Sequence, residues 1–246
     1  MLIHVDLVPR RDRHKDVRPD VVVVVDVLRA CTLAPILFDN GLAQLTITNR
    51  IKLARQAGDG QILLGERNGL PPQGFNHGIS PAELMEVDLS GKNAVMVSEN
   101  VPYALRLSSG AQHALLASLY NAEAVTLYAL SVARSKIDIV CCGYKQQEDL
   151  DDALTAGYLT ALFKDLDQDV TLSGAARFSL SLLRAFPDPL EAFWQSISGH
   201  HLRKLNLVQD LAPAASISQS NQIPYLVEAI SKPDGDVYRF HSRRVV

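Results

Sequence analysis

VVVVVDVLRACT, residues 21–32, decides how this chain is read. Five consecutive valines end in Asp26, and Arg29 follows three residues later. An unbroken β-branched run suits a strand buried on both faces, as in the middle of a parallel sheet. Leu33, Ile36 and Leu37 then repeat at helical spacing. A strand that ends where a helix begins places its terminal carboxylate at the rim where open α/β sheets hold their ligands. The same segment sets a guanidinium beside a helix N-terminus, which favours anions. The plainer reading is a core strand whose Asp26 only caps the following helix.

The pattern around this segment repeats it. Strand-like runs at 45–48, 62–64, 94–97, 114–117 and 137–142 alternate with helical patterns at 51–57, 101–107 and 122–133, with Asn121 as an N-cap candidate. This alternation predicts βαβ units and a three-layer α/β fold: a mostly parallel sheet flanked by helices. Residues 151–186 read as helical with a break near Ser173 and Gly174, and short helices follow at 191–194 and 200–207. The tail from residue 224 reads as a hairpin, YLVEAI and VYRFH around Lys-Pro-Asp-Gly. Nothing in 1–246 resembles a repeat or a flexible linker, so the expectation is one α/β domain with a C-terminal helical and hairpin elaboration.

Composition narrows the function. The chain has 246 residues, 47% of them hydrophobic and 21% charged, with a formal net charge of -3. No broad basic surface advertises nucleic acid or an anionic membrane. The basic residues at Arg10, Arg11, Arg13, His14, Lys15 and Arg18 are broken by Asp12 and Asp16, and read as a solvated loop. No run reaches the ~18 apolar residues of a membrane span, and no apolar leader is seen, so the expected location is cytoplasmic. Cys31, Cys141 and Cys142 form neither a disulfide framework nor zinc spacing. The sequence leaves a homo-oligomer open.

Polar residues gather just after the strand-like runs: Asp26 with Arg29; Glu66, Arg67 and Asn68; Ser98, Glu99 and Asn100; Glu148, Asp149, Asp151 and Asp152. If the strands are parallel neighbours, their C-terminal ends form one rim of carboxylates and arginines. Such a rim suits a hard cation such as Mg²⁺, with arginine gripping a phosphate or another oxyanion. Cation plus guanidinium is what phosphoryl transfer requires. The segment 65–81, GERNGLPPQGFNHGISP, carries four glycines and three prolines and has the length of a functional loop. Phosphate-gripping GxxxxGK[ST], GxGxxG and GxSxG motifs are absent. His200 and His201 lie on a helical stretch, one able to face a site and both readable as solvated.

Taken together, Asp26-Val27-Leu28-Arg29-Ala30-Cys31-Thr32, Gly65-Glu66-Arg67-Asn68-Gly69, Gly74-Phe75, Gly78, Ser80-Pro81, Gly91-Lys92, Cys142-Gly143, Asp151-Asp152 and Ala156-Gly157 resemble, in order and spacing, the 2-phosphosulfolactate phosphatase family. The resemblance runs from about residue 20 to 160, and Ser196, Gly199, Asp210 and Pro224 extend it weakly. It implies a three-layer α/β fold and a Mg²⁺-dependent phosphatase. Members hydrolyse 2-phospho-3-sulfolactate to 3-sulfolactate and phosphate, a step toward coenzyme M in organisms that make it. The implied partner is a small anionic phosphoester. On this footing Asp26, Glu66 and Asp152 are the catalytic candidates, with Asp26, Glu66 and Asp151 toward Mg²⁺. Asp151 or Asp152 would help hold the metal or orient the attacking water. Arg29 and Arg67 would clamp phosphate and carboxylate, and Asn100 would donate to an anionic oxygen. A covalent aspartyl-phosphate and direct attack by water both stay open.

The chain departs from the family pattern where anion binding is expected. The family's Thr-Thr-Asn-Gly-Thr-Arg reads Ser98-Glu99-Asn100-Val101-Pro102-Tyr103 here, and only the asparagine is kept. Val101 disfavours close backbone approach, Pro102 removes an N–H, Tyr103 removes a charge and Glu99 adds one of opposite sign. Gly78-Ile79-Ser80-Pro81 and Cys141-Cys142-Gly143-Tyr144 lose an amide and a hydroxyl relative to that pattern. The alternatives are a phosphatase acting on a different, less anionic phosphoester, or a non-catalytic homologue.

Overall fold

The computed structural model describes residues 1–10, 18–57 and 60–244. The basic stretch read above as a solvated loop lies for the most part, at Arg11, Arg13, His14 and Lys15, outside the described residues.

The valine run forms β2 (Val21–Val25), every residue of which is buried. Its alternation shows why. Val21, Val23 and Val25 join one core cluster, and Val22 and Val24 join another. A strand sends successive side chains to opposite faces, so two layers cover this one. Burying a valine contributes about 1.5–3 kcal/mol, which makes the run a central anchor. Its parallel neighbours are β6 (His113–Ala117) and β7 (Lys136–Cys141). Beyond β7 lie β1 (Leu2–Asp6) and the two-residue β8 (Thr171–Leu172), both parallel and neither foreseen from strand-like runs. A second parallel group consists of β3 (Gln44–Thr48), β5 (Asn93–Val97) and β4 (Ile62–Gly65).

The two groups are joined by the expected hairpin, β9 (Gln222–Lys232) and β10 (Gly235–Arg244). It is not a peripheral addition. The strand order is β4-β5-β3-β10-β9-β6-β2-β7-β1-β8, so the hairpin occupies the middle of a ten-stranded sheet. β10 pairs with β3 over four residues, whereas β9 meets β6 at one pair, Leu115 with Tyr225. Asn121 reinforces that thin seam. At the N-cap position of the helix Ala122–Val132 it makes no side-chain bond to that helix; its Oδ1 accepts the Ser118 N–H (3.0 Å), capping the turn at 119–121, and its amide donates to the carbonyls of Leu116 (3.2 Å) and Gln222 (3.1 Å).

Helix α1 (Ala30–Asp39) is buried through almost its whole length, as an all-round apolar helix must be. It shares a core cluster with Val22 and Val24 of β2 and with Leu45, Ile47, Leu64 and Met96 of the other group. The sheet thus wraps α1, and the C-terminal ends of β2, β7, β4 and β5 reach one cleft. Helix α4 (Val101–Leu107) leads from β5 on this side. On the far face β2 is covered by α5 (Ala122–Val132) and α6 (Leu150–Leu166). Helices α7 (Gly174–Ala185), α8 (Pro189–Gln195), α9 (Ile197–Lys204) and α10 (Leu211–Ala215) complete that layer. The remaining short helices are α2 (Ile51–Arg55) and α3 (Pro81–Leu84). Among the described residues, no helix is long and apolar enough to cross a membrane.

Candidate active site

Asp26 ends β2 but does not cap α1 with its side chain. Its backbone carbonyl accepts the Cys31 N–H at 2.8 Å, and α1 has no side-chain cap. The carboxylate is left to line the cleft, only 5% exposed. Burial raises its pKa well above the carboxylate range, and the charges of Asp152 and Glu66 push the same way. The Asn100 side chain and the Arg29 charge oppose that rise.

Asp152 sits in the first turn of α6, behind Asp26 and out of the cleft lining. Its two oxygens accept the N–H groups of Val27 (2.9 Å) and Gly143 (2.8 Å). It therefore ties the loop after β2 to the loop after β7. Burial still pushes its pKa up to about 7, against those two N–H donors. Asp151 is buried beside it, with no hydrogen-bond partner for one carboxylate oxygen among the described residues. Its pKa is raised well above normal by burial and by Asp149 and Asp152. Asp149 caps two helices at once. It accepts from Leu150 N at the start of α6, and from Ile197 N, Ser198 N and Ser198 Oγ at the start of α9, all at 2.7–2.8 Å. Glu148 is exposed.

Glu66 follows β4 and lines the cleft. Its carboxylate accepts the Gly69 N–H at 2.7 Å, which fixes the two-residue turn at Asn68 and Gly69. Arg67 and Leu70 exchange backbone hydrogen bonds across this turn, and both central residues have positive φ (54° and 83°), the type I′ geometry that Asn-Gly favours. Burial raises the Glu66 pKa. Arg29 and Arg67 part company. Arg29 is buried in the cleft wall, donating to Asp210 Oδ2 at 3.0 Å and to the Gly69 carbonyl at 2.8 Å. Arg67 is outside the lining; its fork donates to Glu99 Oε1 at 2.6 Å and to the Asn49 carbonyl at 3.1 Å.

Asp26, Glu66, Arg29 and Asn100 are thus brought together; Arg67, Asp151 and Asp152 stand behind or beside them. Of the divergent segment, Ser98, Glu99 and Asn100 line the cleft. Val101 and Pro102 are buried at the start of α4, and Tyr103 lies against Arg106 (5.4 Å). Tyr144, Lys145, Ser198 and His201 also line the cleft; of these only His201 is read from the sequence as able to face a site. The signal lay in Gly143-Tyr144-Lys145 following the β7 run, as Glu66 follows β4.

The buried carboxylates make stability depend on pH. A carboxyl whose folded pKa is raised holds its proton where the unfolded chain has released it. Its contribution is full below the unfolded value and is lost as pH rises through the folded one. For Asp152 that window runs from 3.8 to about 7, at most about 4 kcal/mol at 1.4 kcal/mol per unit; Asp26 and Asp151 act in the same direction. The protein should melt at a lower temperature at pH 8 than at pH 5.5. Melting curves with chelator that rise from pH 5.5 to 8 would refute this.

The family described as 2-phosphosulpholactate phosphatase matches residues 7–229. A Deinococcus radiodurans protein named probable 2-phosphosulfolactate phosphatase is 38% identical over 239 residues, covering 96% of this chain and 97% of its own. A Thermus thermophilus protein of the same name is 36% identical over 228 residues, 92% of this chain and 94% of its own. One from Caldicellulosiruptor saccharolyticus is 32% identical, over 80% and 87%. With a match across nearly the whole length and the motif residues converging on one cleft, the chain belongs to the 2-phosphosulfolactate phosphatase family.

Proposed function

We propose that the protein is a Mg²⁺-dependent phosphatase that hydrolyses 2-phospho-3-sulfolactate to 3-sulfolactate and phosphate. The observation that carries this reading is the Asp26 carboxylate, buried at the end of the central strand with two further carboxylates raising its pKa. A cation would relieve that electrostatic cost, and Arg29 beside it would balance a phosphate.

The donor set fits Mg²⁺. Asp26 and Glu66 offer hard oxygens to the cleft. No group of three or more His, Cys, Asp and Glu among the described residues forms a protein-only cage. Mg²⁺ does not need one, because it keeps waters and shares one or two carboxylates with a substrate phosphate. Bound there, it would neutralise charge on the phosphoryl oxygens. The rest follows from the chain's own groups. Arg29, held rigid by Asp210 and Gly69, meets the phosphate or the carboxylate. Asn100 orients Asp26 and can donate to an anionic oxygen. Asp152 holds the loop that follows Asp26 to the loop after β7. Water attacks phosphorus, either directly or on a phosphoryl group first transferred to Asp26; the P–O bond to C2 breaks, the C2 oxygen takes up a proton, and the attacking water gives up a proton as its oxygen becomes part of the released phosphate.

Glu99 supports a second reading, a less anionic substrate, because it adds a negative charge to the lining. Phosphate release from a panel of small phosphoesters, with Mg²⁺ and with chelator, separates the two. The expected result is Mg²⁺-dependent release from phosphosulfolactate. Release only from esters without a second acid would favour the other substrate class, and no release at all would point to a binding homologue.

A further inference from the structure

We infer that Lys145 is the specificity-determining cation of this cleft, reading the acid group of the substrate that does not react. The inference rests on the phosphatase reading above and deepens it. The lining carries groups of both signs: Asp26, Glu66 and Glu99 supply carboxylates, and Lys145 and His201 come from the loop after β7 and from α9. Lys145 is exposed, whereas the Arg29 guanidinium is buried and held by Asp210 and Gly69, so the second acid group of a phosphoester bound at the carboxylates with its cation is left for Lys145 to meet.

The backbone gives an independent argument. Tyr144 and Gln147 exchange backbone hydrogen bonds (2.9 and 3.0 Å) around Lys145 and Gln146, whose φ values are 50° and 65°. Two successive side-chain-bearing residues in the left-handed region are costly, and such strain concentrates at functional sites. The matching turn on the facing wall uses the inexpensive pair Asn68-Gly69. The Lys145 ammonium lies over the Tyr144 ring at 5.3 Å, and that ring packs against His201 at 5.7 Å. His201 Nε2 in turn reaches the Asn68 carbonyl at 3.3 Å, closing the wall onto the facing turn. The charge is therefore presented from a braced platform.

The test uses Lys145→Asn, which removes the charge while keeping a residue that tolerates the left-handed turn, and Lys145→Arg, which restores the charge. KM and kcat are measured for phosphosulfolactate and for propyl phosphate, which has no second acid. Lys145→Asn should raise KM for phosphosulfolactate about tenfold, leave kcat within about twofold, and leave KM for propyl phosphate unchanged. Lys145→Arg should recover most of the loss. An unchanged KM for phosphosulfolactate, or an equal rise for propyl phosphate, overturns the inference and leaves the phosphatase reading standing. A wild-type protein that releases no phosphate from phosphosulfolactate overturns both.

Discussion

Asp26→Asn should lower kcat by at least about a thousandfold, roughly 4 kcal/mol of lost transition-state stabilisation, while the protein stays as stable as before or becomes more so. The two halves of this expectation have one cause. The side chain is buried at the point where Glu66, Asn100 and Arg29 meet, and its charge is opposed by burial and by Asp152 and Glu66. An isosteric amide removes that unfavourable charge, so the melting temperature of the metal-free variant at pH 8 should equal or exceed that of the wild type. On the mechanism proposed above, the same change also removes a cation ligand beside the reacting phosphate, so turnover should vanish. A variant that keeps full activity would exclude Asp26 from the site. One that loses activity only because it unfolds would mean that the carboxylate is structural.

Asp210→Ala should do the reverse, destabilising the fold by about 3–5 kcal/mol and losing activity with it. Asp210 is fully buried and gathers three donors: Arg29 Nη1 at 3.0 Å, the Ser80 hydroxyl, and Ala82 N at 3.2 Å. Removing it strands a buried guanidinium and frees the long loop that ends at Ser80. For a chain of this size the expected fall in melting temperature is roughly 10 °C. Asp210→Asn keeps an acceptor and the volume, and should fall between the wild type and the alanine variant. A drop of less than about 3 °C for Asp210→Ala would show that Arg29 is compensated elsewhere.

These two aspartates also mark what can be read from a sequence. Asp26 announces itself because it ends an uninterrupted buried run, and strand ends of parallel sheets carry function. Glu66 and Asn100 follow by the same rule, and they do converge with it. Asp210 carries no local signal, since its partner is 181 positions away and only folding brings them together. The Asp151-Asp152 pair was legible as acidic residues after a strand. That both Asp152 oxygens serve backbone N–H groups was not, because spacing does not say which way a first-turn side chain points. Lys145 was hidden because a left-handed Lys-Gln turn violates the preference by which turns are recognised. The hairpin was visible in its Asp-Gly turn, while its place in the sheet was not, because strand order is set by long-range pairing.

That place has a consequence for how the protein is made. The hairpin is the last sheet element in the sequence, yet it joins the two parallel groups. Until the hairpin is made, β3 and β6 face solvent as open edges of two unfinished half-sheets, the kind of surface on which nascent chains pair with the wrong neighbour. Assembly of the ten-stranded sheet must therefore wait for the hairpin, and the cleft, built from loops of both halves, is completed only once β9 and β10 join them.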